Sequence, residues 1–321
     1  MAISKSSITR RQALGAAVWA GLSGRTQAAA GDKVHLVRVP AQGLQPQVVA
    51  DASGVLHLIY YSGDPHQGDL HYTRSQDSAA TFSAPLRVNS QDGSAIAAGT
   101  IRGGQLSIGK NGRAHVAWNG SGKATPRGPL NPDSAKPGEP LLYARLNESG
   151  TAFEPQRNLM RHSFGLDGGG SLAADDAGNV YVAWHGVGVS EATGTGKEGE
   201  ARRRVWVTRS ADQGQSFDTE TKAWAEETGA CGCCGMKLFA DRKGRLHALY
   251  RSATASVHRD IYLLNSRDHG RSFQGTLLHK WEINACPMSS MDFAETSGKL
   301  VAAWETGGQA YWTTIPGEPV A

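Results

Sequence analysis

Three of the chain's four cysteines fall within four positions. They are Cys231, Cys233 and Cys234 in "GACGCCGM", and the fourth, Cys286, stands in "NACPMSSMD" beside Met288. Thiols this close could do three kinds of chemistry. In an exported chain an even cysteine count points first to disulfides. Cys233 and Cys234 are adjacent and a vicinal bridge is strained, so at least one of them would pair with Cys286. Cys231 and its neighbour would then close a very small loop or stay reduced. The second chemistry is a thiolate metal site. Sulfur with Met236 or Met288 suits Cu(I), and cysteine with His258 suits Zn, although Cys-x-Cys-Cys lacks the two-residue gap of common zinc knuckles. A catalytic thiol is the third, and no His–Cys pairing that would activate it can be read from the sequence.

The first thirty residues bear on that choice. They combine a basic start, an apolar run from Ala13 to Leu22 and small residues Ala28 to Ala30. This is the layout of a cleaved export signal, with a run too short to span a bilayer. Arg10-Arg11, preceded by Thr9 and followed by Leu14, is similar to a twin-arginine signal, whose substrates cross the membrane folded. An ordinary secretory signal is the alternative. Residues 1–30 are thus expected to be the leader and 31–321 a single mature domain, periplasmic or extracellular. Lys5, Arg10, Arg11 and Arg25 account for the whole formal charge of +4, leaving 29 basic against 29 acidic side chains. That balance gives no argument for nucleic acid or an anionic membrane. No second long apolar run exists, so no integral membrane segment is expected. The expected partners are a small molecule or glycan and the export machinery.

Repeats decide what positions the cysteines. Five stretches share one plan: "VVADASGVLHLIYYSG", "LSIGKNGRAHVAWNG", "SLAADDAGNVYVAWHG", "KLFADRKGRLHALYRS" and "DFAETSGKLVAAWETG". Each is a short apolar strand, a turn at Gly54, Gly112, Gly178, Gly244 or Gly298, and an alternating strand that ends in Tyr or Trp. Asp, Asn or Ser beside glycine suits a tight hairpin, and the period of two marks strands. His57, His115 and His247 recur inside the second strands and Tyr60, Trp118, Trp184, Tyr250 and Trp304 at their ends, which is the pattern of scaffold.

A second element follows each unit. "SADQGQSF" (210–217) and "SRDHGRSF" (266–273) carry Ser-x-Asp-x-Gly-x-Ser-Phe. "SQDSAATF" has Ala79 in place of the glycine, and "LNESGTAF" keeps only Gly150 and Phe153 in register. Asp77, Asp212 and Asp268 are suited to holding turns by accepting backbone N–H bonds. These octapeptides resemble the Asp-box, or BNR, repeats of the sialidase-like β-propellers, over essentially all of residues 33–315. The resemblance implies an all-β propeller of four-stranded blades, five as counted or six if one is undetected. "KVHLVRV" (33–39) would complete the last blade. Motifs such as "CGCCGM", "HRDIYLL" and "CPMSS" are similar to those of an exported bacterial group of Asp-box proteins rather than a typical sialidase.

Propeller topology then sorts the loops. Connections into each inner strand bring Arg102, Asp167, the cysteine cluster and Cys286 with Met288 to the channel mouth that carries the active site in sialidases. Loops between the middle strands add Asp64, His66, His185, Glu191, Arg202 to Arg204, Arg251, His258, Arg259, Asp260 and Glu305. The expected ligand-binding set is Arg102, Asp167, Arg204, Arg251, His258, Arg259 and Asp260. Sialidases use an arginine triad for a carboxylate, a tyrosine–glutamate nucleophile pair and an aspartic acid. The resemblance offers Arg102, Arg251, Arg259, Asp260 and Glu305 as catalytic candidates, with Glu191 as another acid and Tyr311 as nucleophile. "VRVPA" at Arg38 echoes the Arg-Ile-Pro motif of that family. Three readings stand: a propeller that binds a ligand, glycan or metal at its cysteine-bearing mouth, an exo-sialidase-type glycoside hydrolase, and an interaction scaffold with structural disulfides.

Overall fold

Tight hairpins set the architecture. Gly54, Gly112, Gly178 and Gly244 take φ of +83°, +69°, +97° and +75°, a region that glycine enters without steric cost. Aspartates close three of these turns. Asp51 Oδ1 accepts from Ser53 and Val55 N–H, Asp175 Oδ1 from Asn179, and Asp241 Oδ1 from Lys243 and Arg245.

The computed structural model describes residues 36–99, 103–132, 136–166, 168–191, 199–255, 257–296 and 299–315. Residues 1–30, expected to be the export signal, and Arg102, Asp167 and Gly298 lie outside the described residues, among which there is no α-helix. The first antiparallel sheet runs β1 (Leu44–Ala50), β2 (Leu56–Asp64), β3 (Gln67–Ser75) and β4 (Leu86–Arg87). The second opens with β5 (Gln105–Ile108) and β6 (Ala114–Asn119). After a separate hairpin of β7 (Leu130–Asn131) and β8 (Lys136–Pro137), it continues with β9 (Leu141–Arg145) and β10 (Arg157–Asn158). In the third, β11 (Ser163–Phe164) and β12 (Ser171–Ala174) pair with successive stretches of β13 (Val180–Gly188), followed by β14 (Arg204–Ser210) and β15 (Thr221–Lys222). The fourth comprises β16 (Lys237–Ala240), β17 (Leu246–Arg251), β18 (Ile261–Ser266) and β19 (Gln274–His279). The fifth has β20 (Met291–Thr296), β21 (Lys299–Thr306) and β22 (Gln309–Ile315).

The first strands of successive sheets, β1, β5, β12, β16 and β20, are neighbours in that order. Apolar layers fill the space between sheets. Ile59 and Leu70 pack with Leu106 and Val116, Leu141 with Val182, Val207 with Leu246 and Ala248, and Leu249 with Phe293 and Ala302. Each fully buried Val, Leu or Ile side chain in these layers contributes about 1.5–3 kcal/mol. The expected scaffold residues lie here too: Tyr60, Trp118, Trp184, Tyr250 and Trp304 are buried. His57 bonds Tyr72 and Asp51, His115 bonds Tyr143, and His247 bonds Asn265 and Asp241.

Asp77, Asp212 and Asp268 each organise a turn. Oδ1 accepts from the N–H four residues on, at 2.9 Å in all three, and from the serine hydroxyl two residues back, at 2.6–2.7 Å. Oδ2 accepts the hydroxyl of Thr81, Ser216 or Ser272. Asn147 builds a similar turn, accepting from Thr151 N–H. These turns also join sheets. Phe217 meets Tyr143 of the preceding sheet edge-on at 4.8 Å, Phe153 meets Tyr72 at 5.5 Å, and Arg145 donates to Gln213 O.

One expected strand is corrected. Leu36–Val39 form no strand, and residues 33–35 lie outside the described residues. Leu36 is 88% exposed, so it has no apolar layer to join, and Pro40 starts a 3-10 turn directly after. The fifth sheet therefore has three strands among the described residues.

A methyl group on Gly214 would lie 1.8 Å from the Tyr143 hydroxyl, and its φ is +78°. Gly214→Ala should destabilise the protein by about 2 kcal/mol or more. Ala79 sits at φ +69° in the equivalent turn, so Ala79→Gly should stabilise slightly, and thermal melts of both variants check the opposite signs.

The turn bonds hold Asp77 down at about 2, with the Thr81 hydroxyl contributing most. Burial pushes Asp212 and Asp268 up, but the serine and backbone bonds outweigh it and both finish below the ordinary carboxylate range. A carboxylate with a lowered folded pKa stabilises above its unfolded value of about 3.9 and loses that contribution as pH falls through the folded value. The melting temperature should decline as pH falls from about 4 to about 2, and Asp212→Asn should flatten the slope. A melting temperature constant across that window contradicts this account.

Candidate functional site

One end of the sheets gathers the connections between units. Asn119, at the end of β6, donates to Gly168 O at 3.0 Å. Gly168 is packed so closely that a methyl there would lie 2.6 Å from Gly232 O and 3.0 Å from His185 Nδ1. The cysteine loop hangs on its neighbours by backbone bonds. Ala230 N–H donates to Glu200 O, Cys231 N–H to Arg251 O and Gly235 N–H to Ser289 O.

Within this loop Cys233 forms a disulfide with Cys286. Cys231 and Cys234 are free thiols, both buried. Cys231 Sγ lies 2.9 Å from Cys234 Sγ and 3.3 Å from Cys233 Sγ. The sulfurs of Cys231, Cys233 and Cys234 all fall within 4.8 Å of one another, close enough for a metal ion to touch all three. The Cys231 thiol donates to Cys234, which pulls the Cys234 thiol below its ordinary range, helped by bonds from Ser289 and by the Arg251 charge and opposed by burial. The same bond, followed by burial, pushes Cys231 up.

Arg251 ends β17 and is completely buried. Its Nε donates to Ser289 Oγ at 2.7 Å, Nη1 to Arg259 O, and Nη2 to Glu305 O and Thr306 Oγ1. The guanidinium also sits 4.9 Å from the centre of the Trp281 ring. Burial lowers its pKa, and the Cys234 and Cys231 sulfurs act the other way. Ser289 Oγ in turn faces Cys234 Sγ at 3.7 Å, so Arg251, Ser289 and Cys234 form a chain. Arg259 is likewise buried and pairs with Glu200 at 2.7 Å, while Glu200 Oε1 accepts Gly232 N–H at 2.7 Å.

The other candidates are placed separately. His258 and Asp260 line an open cleft of about 530 Å³ with Tyr262, Lys280, Trp281 and Glu282. Asp260 Oδ1 also accepts Trp281 N–H. Arg204 turns to Glu227 at 2.8 Å. Glu305 Oε1 accepts Gly308 N–H, Tyr311 packs edge-on to His279, and Glu191 pairs with Lys222. Met288 is 59% exposed and Met236 is buried in an apolar layer. Arg38 is exposed and outside any strand.

Sequence reasoning missed Glu200, Ser289, Trp281 and Lys280. Ser289 stands in the quoted "CPMSS", but its partner Arg251 is 38 residues away. It also missed that Cys231 and Cys234 are themselves separated by two residues, the C-x-x-C spacing.

No protein-family model matches the chain, and no curated protein sequence does. Solved structures do. The chain is similar to a sialidase from Trypanosoma rangeli, in complex with the inhibitor DANA, at 14% identity and a TM-score of 0.52, over 81% of this chain and 43% of that one. The Hadza microbial sialidase Hz136 matches at 16% identity and TM-score 0.51, over 81% and 52%. A PL25 ulvan lyase bound to -[GlcA(1-4)Rha3S]- matches at 12% and 0.50, over 84% and 64%. The fold is sialidase-like. The chain spans about half the length of those neighbours.

Arg251→Met removes a buried charge and leaves Ser289, Thr306 and two carbonyls without their donor. A loss of about 3 kcal/mol in stability is expected, together with a raised Cys234 pKa in the reduced protein. Denaturant unfolding and ultraviolet thiolate absorbance against pH measure the two effects.

Proposed function

We propose that this protein is an exported, single-domain sialidase-like β-propeller that binds an acidic glycan in a cleft beside its cysteine-bearing mouth and does not hydrolyse sialosides. In this reading the five units close into a ring and residues 1–30 direct export to the periplasm or beyond. The cleft beside the mouth carries the proposal. Trp281 and Tyr262 offer aromatic surface for the apolar face of a sugar, Asp260 and Glu282 offer acceptors for hydroxyls, and Lys280 and His258 offer donors for an acidic group. The lyase bound to a glucuronate-containing glycan and the sialidase bound to its inhibitor support a glycan ligand. A disulfide suits an oxidising compartment. No helix among the described residues is long and apolar enough to cross a membrane.

Hydrolysis of the sialidase type is the weaker reading, because two of its three candidate arginines are already engaged within the protein. Arg251 is held by internal acceptors and Arg259 is paired with Glu200. A thiolate-bound Cu or Zn is favoured by the clustered sulfurs. Two sulfurs on a tetrahedral ion with bonds of about 2.3 Å stand about 3.8 Å apart. Cys231 and Cys234, at 2.9 Å, would have to separate first, and Cys233 would have to leave its disulfide.

Calorimetric titration with uronate- and sulfate-bearing oligosaccharides tests the reading. Trp281→Ala and Lys280→Ala should each weaken binding by about tenfold, with no turnover of a fluorogenic sialoside above the blank. Absence of binding across the panel overturns it, and sialoside turnover abolished by Arg259→Ala would favour the hydrolase.

A further inference from the structure

The cleft leaves the four sulfurs without a role. Their arrangement is graded in depth: Cys231 and Cys234 are buried, Cys233 is half-buried and Cys286 is exposed. It is also graded in bonding, with a dithiol behind a disulfide. Cys231 lies between the two pairs, 2.9 Å from Cys234 and 3.3 Å from Cys233. Thiol–disulfide exchange needs an attacking sulfur next to a bonded one, a second thiol to resolve the mixed disulfide, and access from outside. All three are present.

We propose that the four cysteines form a dithiol–disulfide relay, which passes two electrons between the buried Cys231/Cys234 pair and the surface Cys233/Cys286 pair, and through Cys286 to a disulfide of another molecule. In the first step Cys234 begins as the thiolate, and the Cys231 proton that it accepts as a hydrogen bond moves to it. The Cys231 thiolate attacks Cys233 Sγ, the Cys231–Cys233 bond forms, and the Cys233–Cys286 bond breaks with its electron pair leaving on Cys286. In the second step Cys234 gives its proton to the Cys286 thiolate and attacks Cys231 Sγ. The Cys231–Cys234 bond forms and the Cys231–Cys233 bond breaks, leaving Cys233 as the thiolate. Cys231 and Cys234 are oxidised, Cys233 and Cys286 are reduced, and no external oxidant is consumed. The surface pair can then reduce an external disulfide: Cys286, as thiolate, displaces one of its sulfurs, and Cys233 attacks Cys286 to release the other. The Cys233–Cys286 bond is restored, and the two released thiolates take up one proton from the surface pair and one from solvent.

The relay predicts a specific trapped species. Purified protein is equilibrated in a mixture of reduced and oxidised dithiothreitol poised to leave two thiols per chain, alkylated, and mapped by mass spectrometry of unreduced peptides. Wild-type chains should contain both Cys233–Cys286 and Cys231–Cys234 linkages. In Cys234→Ser, which lacks the resolving thiol, the Cys231–Cys233 bond should accumulate, with alkylation of Cys286 at least about tenfold above that in Cys231→Ser. The wild-type map decides the matter even if a variant fails to fold. Wild-type chains linked only as Cys233–Cys286, equal Cys286 alkylation in the two variants, or a stoichiometric metal held by the thiols would each overturn the relay.

Discussion

A tyrosine hydroxyl and a glycine set the spacing between sheets. Tyr143 reaches from the second sheet into the turn of the third, where only Gly214 leaves room for it, and Phe217 from that turn closes on its ring. Asp212 holds the turn by accepting from the backbone and from two serines. The contact works because both sides are rigid: Tyr143 is buried and tied to His115, and the turn is tied to Asp212. Between the third and fourth sheets the Tyr181 hydroxyl meets His269 Nδ1 at 3.2 Å, and its ring lies at ordinary contact distance from Gly270. Sheets joined at one end in this way bring their opposite ends into a defined relation, and those ends carry the site.

At that opposite end the joining element changes from an aspartate-centred turn to a buried cation. Arg251 gathers the carbonyls of Arg259 and Glu305 and the hydroxyls of Ser289 and Thr306, and so ties the fourth unit to the fifth. Burying a guanidinium is costly unless its donors are satisfied. The carbonyl and hydroxyl acceptors satisfy donors without neutralising charge, which leaves Cys234 as the anion-forming group along the Ser289 chain.

Much of the fold was legible because its signals are local. Turn glycines, period-two strands and the Asp-centred octapeptides each lie within a few residues, and backbone chemistry alone determines them. The proximity of Cys286 to the cluster followed from counting units. The engagement of Arg251 and Arg259 was not legible, since their partners Ser289 and Glu200 lie 38 and 59 residues away with no local signature. An arginine that binds a substrate and one that ties two loops look alike in sequence. The final strand was misplaced for a related reason: "KVHLVRV" has the alternation of a strand, but alternation does not specify a partner.

Arg251 places the cleft and the cysteines in one electrostatic system. Its guanidinium lies over Trp281, which lines the cleft, and bonds Ser289, which faces Cys234. Oxidising Cys231 and Cys234 to a disulfide would remove the thiolate and leave Arg251 with neutral acceptors only. The cation would then act more strongly on its surroundings, including the Trp281 side, in a medium where charges are poorly screened. An anionic ligand in the cleft would gain from that change, and by reciprocity its binding would favour the oxidised pair. The sign follows from charge alone and needs no movement of the sheets.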